Sequence, residues 1–338
     1  MKKQSLQSIA KAMMQDGKGI LAADASATTM NKRLAAVGVE QDEEWRRKYR
    51  QLLFTTPGFS EGISGVILYD GTIRQSADDG TPFAKLLEQH GVVPGIKVDK
   101  GKVDLPNFPG EQVTEGLDGL KERLEEYYEM GARFAKWRAV IPIGEGLPNE
   151  AAIEANAHAL ARYAGICQEV GIVPMVEPEV LIDGDHTIGR CDAVMRATLG
   201  TVFYELERYR IDLTGTILKT SMVLSGKERG MDAPEAVADH TVGVLRDMVP
   251  QELAGVVFLS GGQFPEQASA NLNAIMRRGP HPWLMTFSYS RALQEPVLSA
   301  WEGVDANIEE AQRVFKHRID MNVAARAAQY DSSMENME

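Results

Sequence analysis

Lysines and carboxylates set inside apolar runs are the residues of this 338-residue chain best suited to chemistry. Lys136 and Arg138 lie in the run Phe134 to Val140, Glu177 and Glu179 in Val173 to Glu179, and Lys219 in Gly215 to Ser221. Asp24 closes Gly19 to Asp24, Lys97 lies in Gly95 to Val98, Ser260 closes Gly255 to Ser260, and Arg291 follows Trp283 to Tyr289. A strand buried on both faces normally reads as nearly continuous hydrophobic residues, so charge within one needs a reason other than packing. Burial disfavours the charged form of a lysine by as much as about 3–5 pKa units, and a second ammonium nearby acts in the same direction. The neutral amine can attack a ketone to give a Schiff base, whose cationic nitrogen is an electron sink for cleaving or forming the neighbouring carbon–carbon bond. Imine formation expels water, which calls for a carboxyl that both gives and takes a proton. Glu177 or Glu179 suits that step, and Lys136 and Lys219 both suit the nucleophile.

These side chains must be aimed by strands, in which residues two apart share a face. If Ala135, Trp137 and Leu218 pack outward against helices, Lys136, Arg138 and Lys219 point inward, and Glu177 and Glu179 follow Met175 to the same mouth. Gly65 to Tyr69 completes a set of about eight strands, the number that closes a parallel barrel. Amphipathic stretches separate them, as in Leu117, Leu120, Leu124 and Tyr127 or Ile153, Ala157, Leu160 and Ala164. Strand starts recur every roughly 30 to 45 residues, one βα unit apiece. No Gly-, Ser- or Pro-rich linker divides the chain. The expected architecture is an α/β fold, a single (β/α)8 barrel domain over residues 1–338, with the charged residues at the strand carboxyl ends where barrel enzymes build their sites. Gln41 to Phe54 reads as an inserted helix with Arg46, Arg47, Lys48 and Arg50 on a solvated face. Asn307 to Ala328 reads as the last helix, and residues 331–338 as a short, mobile acidic tail.

Two stretches suit phosphate. Ser260, Gly261 and Gly262 follow a strand and precede a helix, where small residues let backbone N–H groups approach an anion, and Arg291 arrives from the next unit. Ser26 and Thr29, followed by Lys32 and Arg33, form a second candidate after the first strand.

With 44% hydrophobic and 25% charged residues the composition is that of a globular protein with a large core. A net charge of −12 repels nucleic-acid phosphates and anionic membranes, so neither is an expected partner. Cys167 and Cys191 are too few for a disulfide framework and fit a reduced, cytoplasmic setting. The start of the chain lacks the apolar stretch of a signal peptide, and no run is long enough to span a membrane. The six histidines show no metal-ligand spacing, and there is no P-loop or strand-linked G-x-G-x-x-G, so no metal or cofactor is expected.

At these residues the chain resembles the class I fructose-bisphosphate aldolases. The likeness runs from Gly17 to Asp24 through Gly95 to Lys100, Phe134 to Arg138, Val176 to Glu179, Leu218-Lys219 and Leu259 to Gln263 to Thr286 to Arg291. It implies a (β/α)8 barrel that cleaves fructose 1,6-bisphosphate reversibly into dihydroxyacetone phosphate and glyceraldehyde 3-phosphate, without metal, through a Schiff base on Lys219. It implies Glu177 as proton shuttle, Glu179 and Lys136 as tuning groups, and Asp24 acting on the hydroxyl whose proton loss triggers cleavage. Lys97 would help position substrate. Ser260, Gly261 and Arg291 would hold the ketose C1 phosphate, and Ser26, Thr29, Arg33, Lys97 and Arg138 the distal one. Relatives also imply a homo-oligomer, most often a tetramer. The chain departs from the usual pattern at Ala25 (usually Glu), Thr220 (Pro) and Ser290 (Gly), and it lacks the terminal tyrosine of animal relatives. Its last tyrosine is Tyr330. A transaldolase-like enzyme and a non-catalytic barrel scaffold are the competing expectations.

Overall fold

β-Rich runs bounded by Gly, Pro and Asp become strands because their side chains fit a surface buried on both faces. The computed structural model describes residues 4–336. Among these, ten strands form: β1 (Gly19–Ala22), β2 (Ile63–Leu68), β3 (Val93–Lys97), β4 (Lys102–Asp104), β5 (Gln112–Thr114), β6 (Phe134–Ile141), β7 (Val173–Val180), β8 (Ile217–Thr220), β9 (Gly255–Phe258) and β10 (Met285–Tyr289). Eight of them are parallel and close a barrel in the order β1-β10-β9-β8-β7-β6-β3-β2. The expected α/β barrel is therefore the observed fold. β4 and β5 form a separate antiparallel hairpin, which the sequence reading did not contain.

The alternation separates two cores. Leu21, Val66, Ile96, Ala135, Trp137, Val176, Leu218 and Phe258 pack outward with the surrounding helices, while Ile20, Ile67, Phe134, Met175, Ile217 and Val257 fill the lower barrel. The floor is closed by helix Leu6–Met13, capped by Ser5, whose Ile9, Ala10 and Met13 join the inner core. The helix sits so close that a Cβ on Gly215 would lie 2.7 Å from a Leu6 carbon, and one on Gly255 2.7 Å from Met14. Apolar side chains thus occupy the amino end of the barrel, and polar ones are left for the carboxyl end.

Several boundaries move. Gly215, expected to open β8, instead ends the 3₁₀ turn Leu213–Gly215, and the strand starts at Ile217; β2 begins at Ile63, and Trp283 and Leu284 precede β10. The inserted helix is Glu43–Phe54, but Arg50 is 2% exposed instead of solvated. Its guanidinium donates to Gln294 at 3.4 Å, Tyr49 donates to the Gln294 carbonyl at 3.0 Å, and Gln294 donates to Ala22 at 2.8 Å. The helix is thereby tied to β1, just below Asp24. The last helix, Ile308–Arg326, is followed by a 3₁₀ turn at Ser332–Glu335. Glu335 accepts from Tyr330 at 2.8 Å and pairs with the buried Arg318, so this part of the expected mobile tail is docked. Residues 337 and 338 of that tail lie outside the described residues.

Candidate active site

β6, β7 and β8 place their inward residues at successive heights, and the register pairs Arg138 with Glu177 and Lys136 with Met175. The outcome is a row of charges. Asp24 Oδ2 lies 2.7 Å from Lys136 Nζ, which lies 2.9 Å from Glu177 Oε2, whose Oε1 lies 3.1 Å from Lys219 Nζ. The Lys136–Glu177 contact is an ion pair without a well-directed hydrogen bond. Lys136, Glu177 and Lys219 are each 3% exposed.

Opposed effects set the protonation of this row. Burial alone would raise the Asp24 carboxyl, but the Lys136 and Lys219 ammoniums outweigh it and hold Asp24 well below the usual carboxylate range. Glu177 is likewise held low, with burial opposed by Lys136, Lys219 and Arg138. Burial pushes Lys136 down, yet Asp24 and Glu177 on either side push it well above the ordinary lysine range. Lys136 is thus fixed as an ammonium between two carboxylates, whereas Lys219 is in contact with one of them, Glu177.

Around this row the polar residues fall in arcs set by strand order. Arg138 pairs with Glu179, and Lys97 lies 2.5 Å from Asp99. Arg33 donates to Ser290 Oγ at 3.3 Å, one residue before Arg291, and burial together with the Arg291 charge lowers its pKa. Ser26 caps helix Ala27–Ala36 by accepting from the Thr29 N–H. Gly261 has φ +59°, a left-handed conformation that favours glycine, and a Cβ on Gly262 would stand 3.3 Å from the Arg291 guanidinium.

The thirteen residues to which the sequence assigns catalytic or substrate contacts line one cavity of about 990 Å³ at the carboxyl ends of the strands, while Lys32 and Gly262 of the two phosphate stretches do not. The thirteen are not one cluster. Ser26, Thr29 and Arg33 stand over β1 beside β10, whereas Lys97 and Arg138 stand over β3 and β6, two and three strands away. The sequence reading missed Asp99, Ser288, Ser290 and Glu295 as lining residues. Ser288 Oγ is buried without a hydrogen-bond partner. Its signal was present, since Thr286 and Ser288 alternate on the inward face of a run already read as a strand. Tyr330 is buried and does not line the cavity.

Fold and site together define a parallel-barrel enzyme equipped for amine chemistry on an anionic substrate. A family model described as "Fructose-bisphosphate aldolase class-I" matches residues 5–338. A probable fructose-bisphosphate aldolase class 1 of Xanthomonas campestris pv. campestris is 54% identical over 321 residues, 94% of this chain and 96% of the relative. Cytosolic fructose-bisphosphate aldolase 6 of Arabidopsis thaliana is 50% identical over 93% of this chain and 88% of its own length. The fructose-bisphosphate aldolase of Plasmodium falciparum, solved as a ternary co-crystal with TRAP and a small-molecule inhibitor, superposes with a TM-score of 0.95 at 46% identity, covering 97% of this chain and 95% of that one. The chain belongs to the class I fructose-bisphosphate aldolase family, lyases that cleave fructose 1,6-bisphosphate reversibly into dihydroxyacetone phosphate and glyceraldehyde 3-phosphate. The transaldolase-like and scaffold alternatives are set aside.

Proposed function

We propose that Lys219 is the amine that bonds to the substrate and that Glu177 carries its protons. The supporting observation is the asymmetry of the row: Glu177 touches both lysines, but Asp24 touches only Lys136. Glu177, held as a carboxylate, takes a proton from Lys219 and the free amine attacks the C2 carbonyl. Glu177 then returns the proton to the C2 hydroxyl of the carbinolamine, which leaves as water and yields the iminium. Asp24 takes the C4 hydroxyl proton as the C3–C4 bond breaks, the aldehyde departs, and the bonding pair moves through C3 and C2 to the imine nitrogen to give an enamine. Protonation at C3 and hydrolysis of the iminium release the ketone and restore Lys219. Lys136 remains charged and holds Asp24 and Glu177 in their anionic forms, and Glu179 orients Arg138.

Ser260, Gly261 and Arg291 are placed by this reading around the C1 phosphate. Lys97 and Arg138, with Ser26, Thr29 and Arg33 from the other arc, receive the distal phosphate. The chain acts as one barrel domain in the cytosol, as the cytosolic relative supports. It assembles with copies of itself, a tetramer by family likeness, and the exposed rings of Tyr204 and Tyr209 offer apolar surface for this.

Borohydride trapping tests the central step. Reduction in the presence of dihydroxyacetone phosphate should leave a secondary amine on the Lys219 peptide, and Lys219→Met should abolish trapping and lower turnover by several orders of magnitude. Lys136→Met should slow turnover but leave Lys219 trappable. An adduct mapped to Lys136 would reverse the assignment.

A further inference from the structure

We propose that Asp99 is a positioning residue that places Lys97 and Arg138 for the distal phosphate. This rests on the reading of those two cations as distal-phosphate contacts. Asp99 lies two residues beyond Lys97, where β3 has ended, and its side chain is 3% exposed. Its two oxygens are divided between two strands. Oδ1 lies 2.5 Å from Lys97 Nζ and accepts from the Gly101 N–H at 3.2 Å, while Oδ2 accepts from the backbone N–H of Arg138 at 3.2 Å. Lys97 Nζ also donates to the Asp99 carbonyl at 3.0 Å.

The strand geometry explains why a side chain is needed here. β3 and β6 pair up to Lys97 opposite Lys136, and the Val98 N–H continues the ladder to the Lys136 carbonyl at 3.0 Å. The next bond of a parallel ladder would run from the Arg138 N–H to the Val98 carbonyl. That carbonyl accepts from Arg123 at 2.9 Å instead, and β3 turns away. The Asp99 carboxylate takes the place of the lost backbone acceptor and satisfies a buried N–H that would otherwise be costly. The Arg138 carbonyl is held in turn by Thr114 of β5 at 2.8 Å.

One carboxylate therefore fixes the backbone from which Arg138 extends and restrains the ammonium of Lys97, with which it forms an ion pair. Glu179 already pairs with Arg138. Asp99 reaches the amine row only through the longer-range field that, with Asp24 and Glu177, holds Lys136 high, so losing Asp99 should disturb the distal-phosphate side first.

The test compares fructose 1,6-bisphosphate with fructose 1-phosphate, which lacks the distal phosphate, in Asp99→Ala and the near-isosteric Asp99→Asn. KM for the bisphosphate should rise about tenfold with kcat within about twofold, and both constants for the monophosphate should stay within about twofold. In a Lys97→Ala background the Asp99→Ala penalty should shrink to about threefold, because one of the two groups it positions is gone. Asn presents one acceptor oxygen where the carboxylate's two serve three donors, so it should fall between parent and Ala. Borohydride trapping with dihydroxyacetone phosphate checks that the amine row is intact in each variant. Equal losses on both substrates, or a penalty unchanged by Lys97→Ala, overturn the proposal. If Arg138→Ala discriminates between the substrates and Asp99→Asn does not, the positioning role alone falls. If Arg138→Ala does not discriminate either, the phosphate reading beneath it falls as well.

Discussion

Lys136 and Lys219 share Glu177, but Asp24 belongs to Lys136 alone, and protons should therefore respond differently at the two ends of the row. A carboxylate held low in the folded state binds fewer protons than its unfolded counterpart, so it adds stability above the unfolded values of about 3.9 for Asp and 4.3 for Glu. That contribution drains as pH falls through the folded values. For Lys136, held high, the contribution is complete below the unfolded value of about 10.4 and is lost only as pH rises through the folded one. Lys136→Met leaves two buried carboxylates short of a partner and should cost about 3–5 kcal/mol near neutrality. Its deficit against the parent should narrow on acidification from pH 7 to pH 4, as those carboxylates take up protons. Thermal melts across that range check this, and a deficit independent of pH would show that the row does not carry it. The phosphate arcs give a second residue-scale expectation. Arg291→Ala should weaken fructose 1-phosphate and the bisphosphate alike, by about ten- to hundredfold in kcat/KM if the contact is made in the transition state. Arg33→Ala should weaken mainly the bisphosphate. Equal losses from Arg33→Ala would assign it to the C1 phosphate instead.

At the scale of elements, close packing in the barrel determines where the cations stand. A Cβ on Gly95 would fall 2.2 Å from the Phe134 ring, and Lys97 is the next inward residue of the same strand. Gly95→Ala should therefore destabilise by about 1–3 kcal/mol and raise KM for the bisphosphate, with Phe134→Leu recovering part of the stability. A denaturant midpoint equal to the parent's would contradict that packing. The strands that carry the site were legible because charge inside an apolar run is conspicuous and period-two alternation assigns its side. Asp99 was not, since a carboxylate just past a strand end is ordinary and only the register shows that it replaces a ladder bond. Arg50 shares its helix with three other basic residues, so local pattern read it as solvated; its partner Gln294 comes from more than two hundred positions away. The floor helix Leu6–Met13 and the hairpin β4–β5 are eight and three-plus-three residues long, too short for periodicity to distinguish.

The whole molecule carries a net charge of −12, yet Lys97, Lys136, Arg138, Lys219, Arg33 and Arg291 converge on one mouth. An anionic substrate is repelled over most of the surface and drawn in at one place. Added salt should lower kcat/KM for the bisphosphate more steeply than for fructose 1-phosphate, because the former presents two phosphates to a field screened beyond about 8–10 Å. Identical salt slopes would remove the long-range contribution. On the proposed mechanism an iminium on Lys219 would provide the electron sink that a Lewis-acid cation provides elsewhere, so prolonged chelation should leave activity unchanged. Loss of activity reversed by zinc would overturn that.

Closure of the floor also governs traffic. Leu6, Ile9, Met13 and Met14 stop the amino end, so nothing passes through the barrel, and sugar, water and both trioses must use the doorway at the carboxyl ends. If Lys219 is the bonding amine, as proposed, half of the sugar is moored to a side chain 3% exposed, while the aldehyde half is set free once the carbon–carbon bond has parted. The aldehyde therefore leaves the queue first, and in the direction of synthesis the ketone has to be moored before the aldehyde can usefully enter. A blind-ended vessel with one mooring thus imposes an order of arrival and departure without any moving gate.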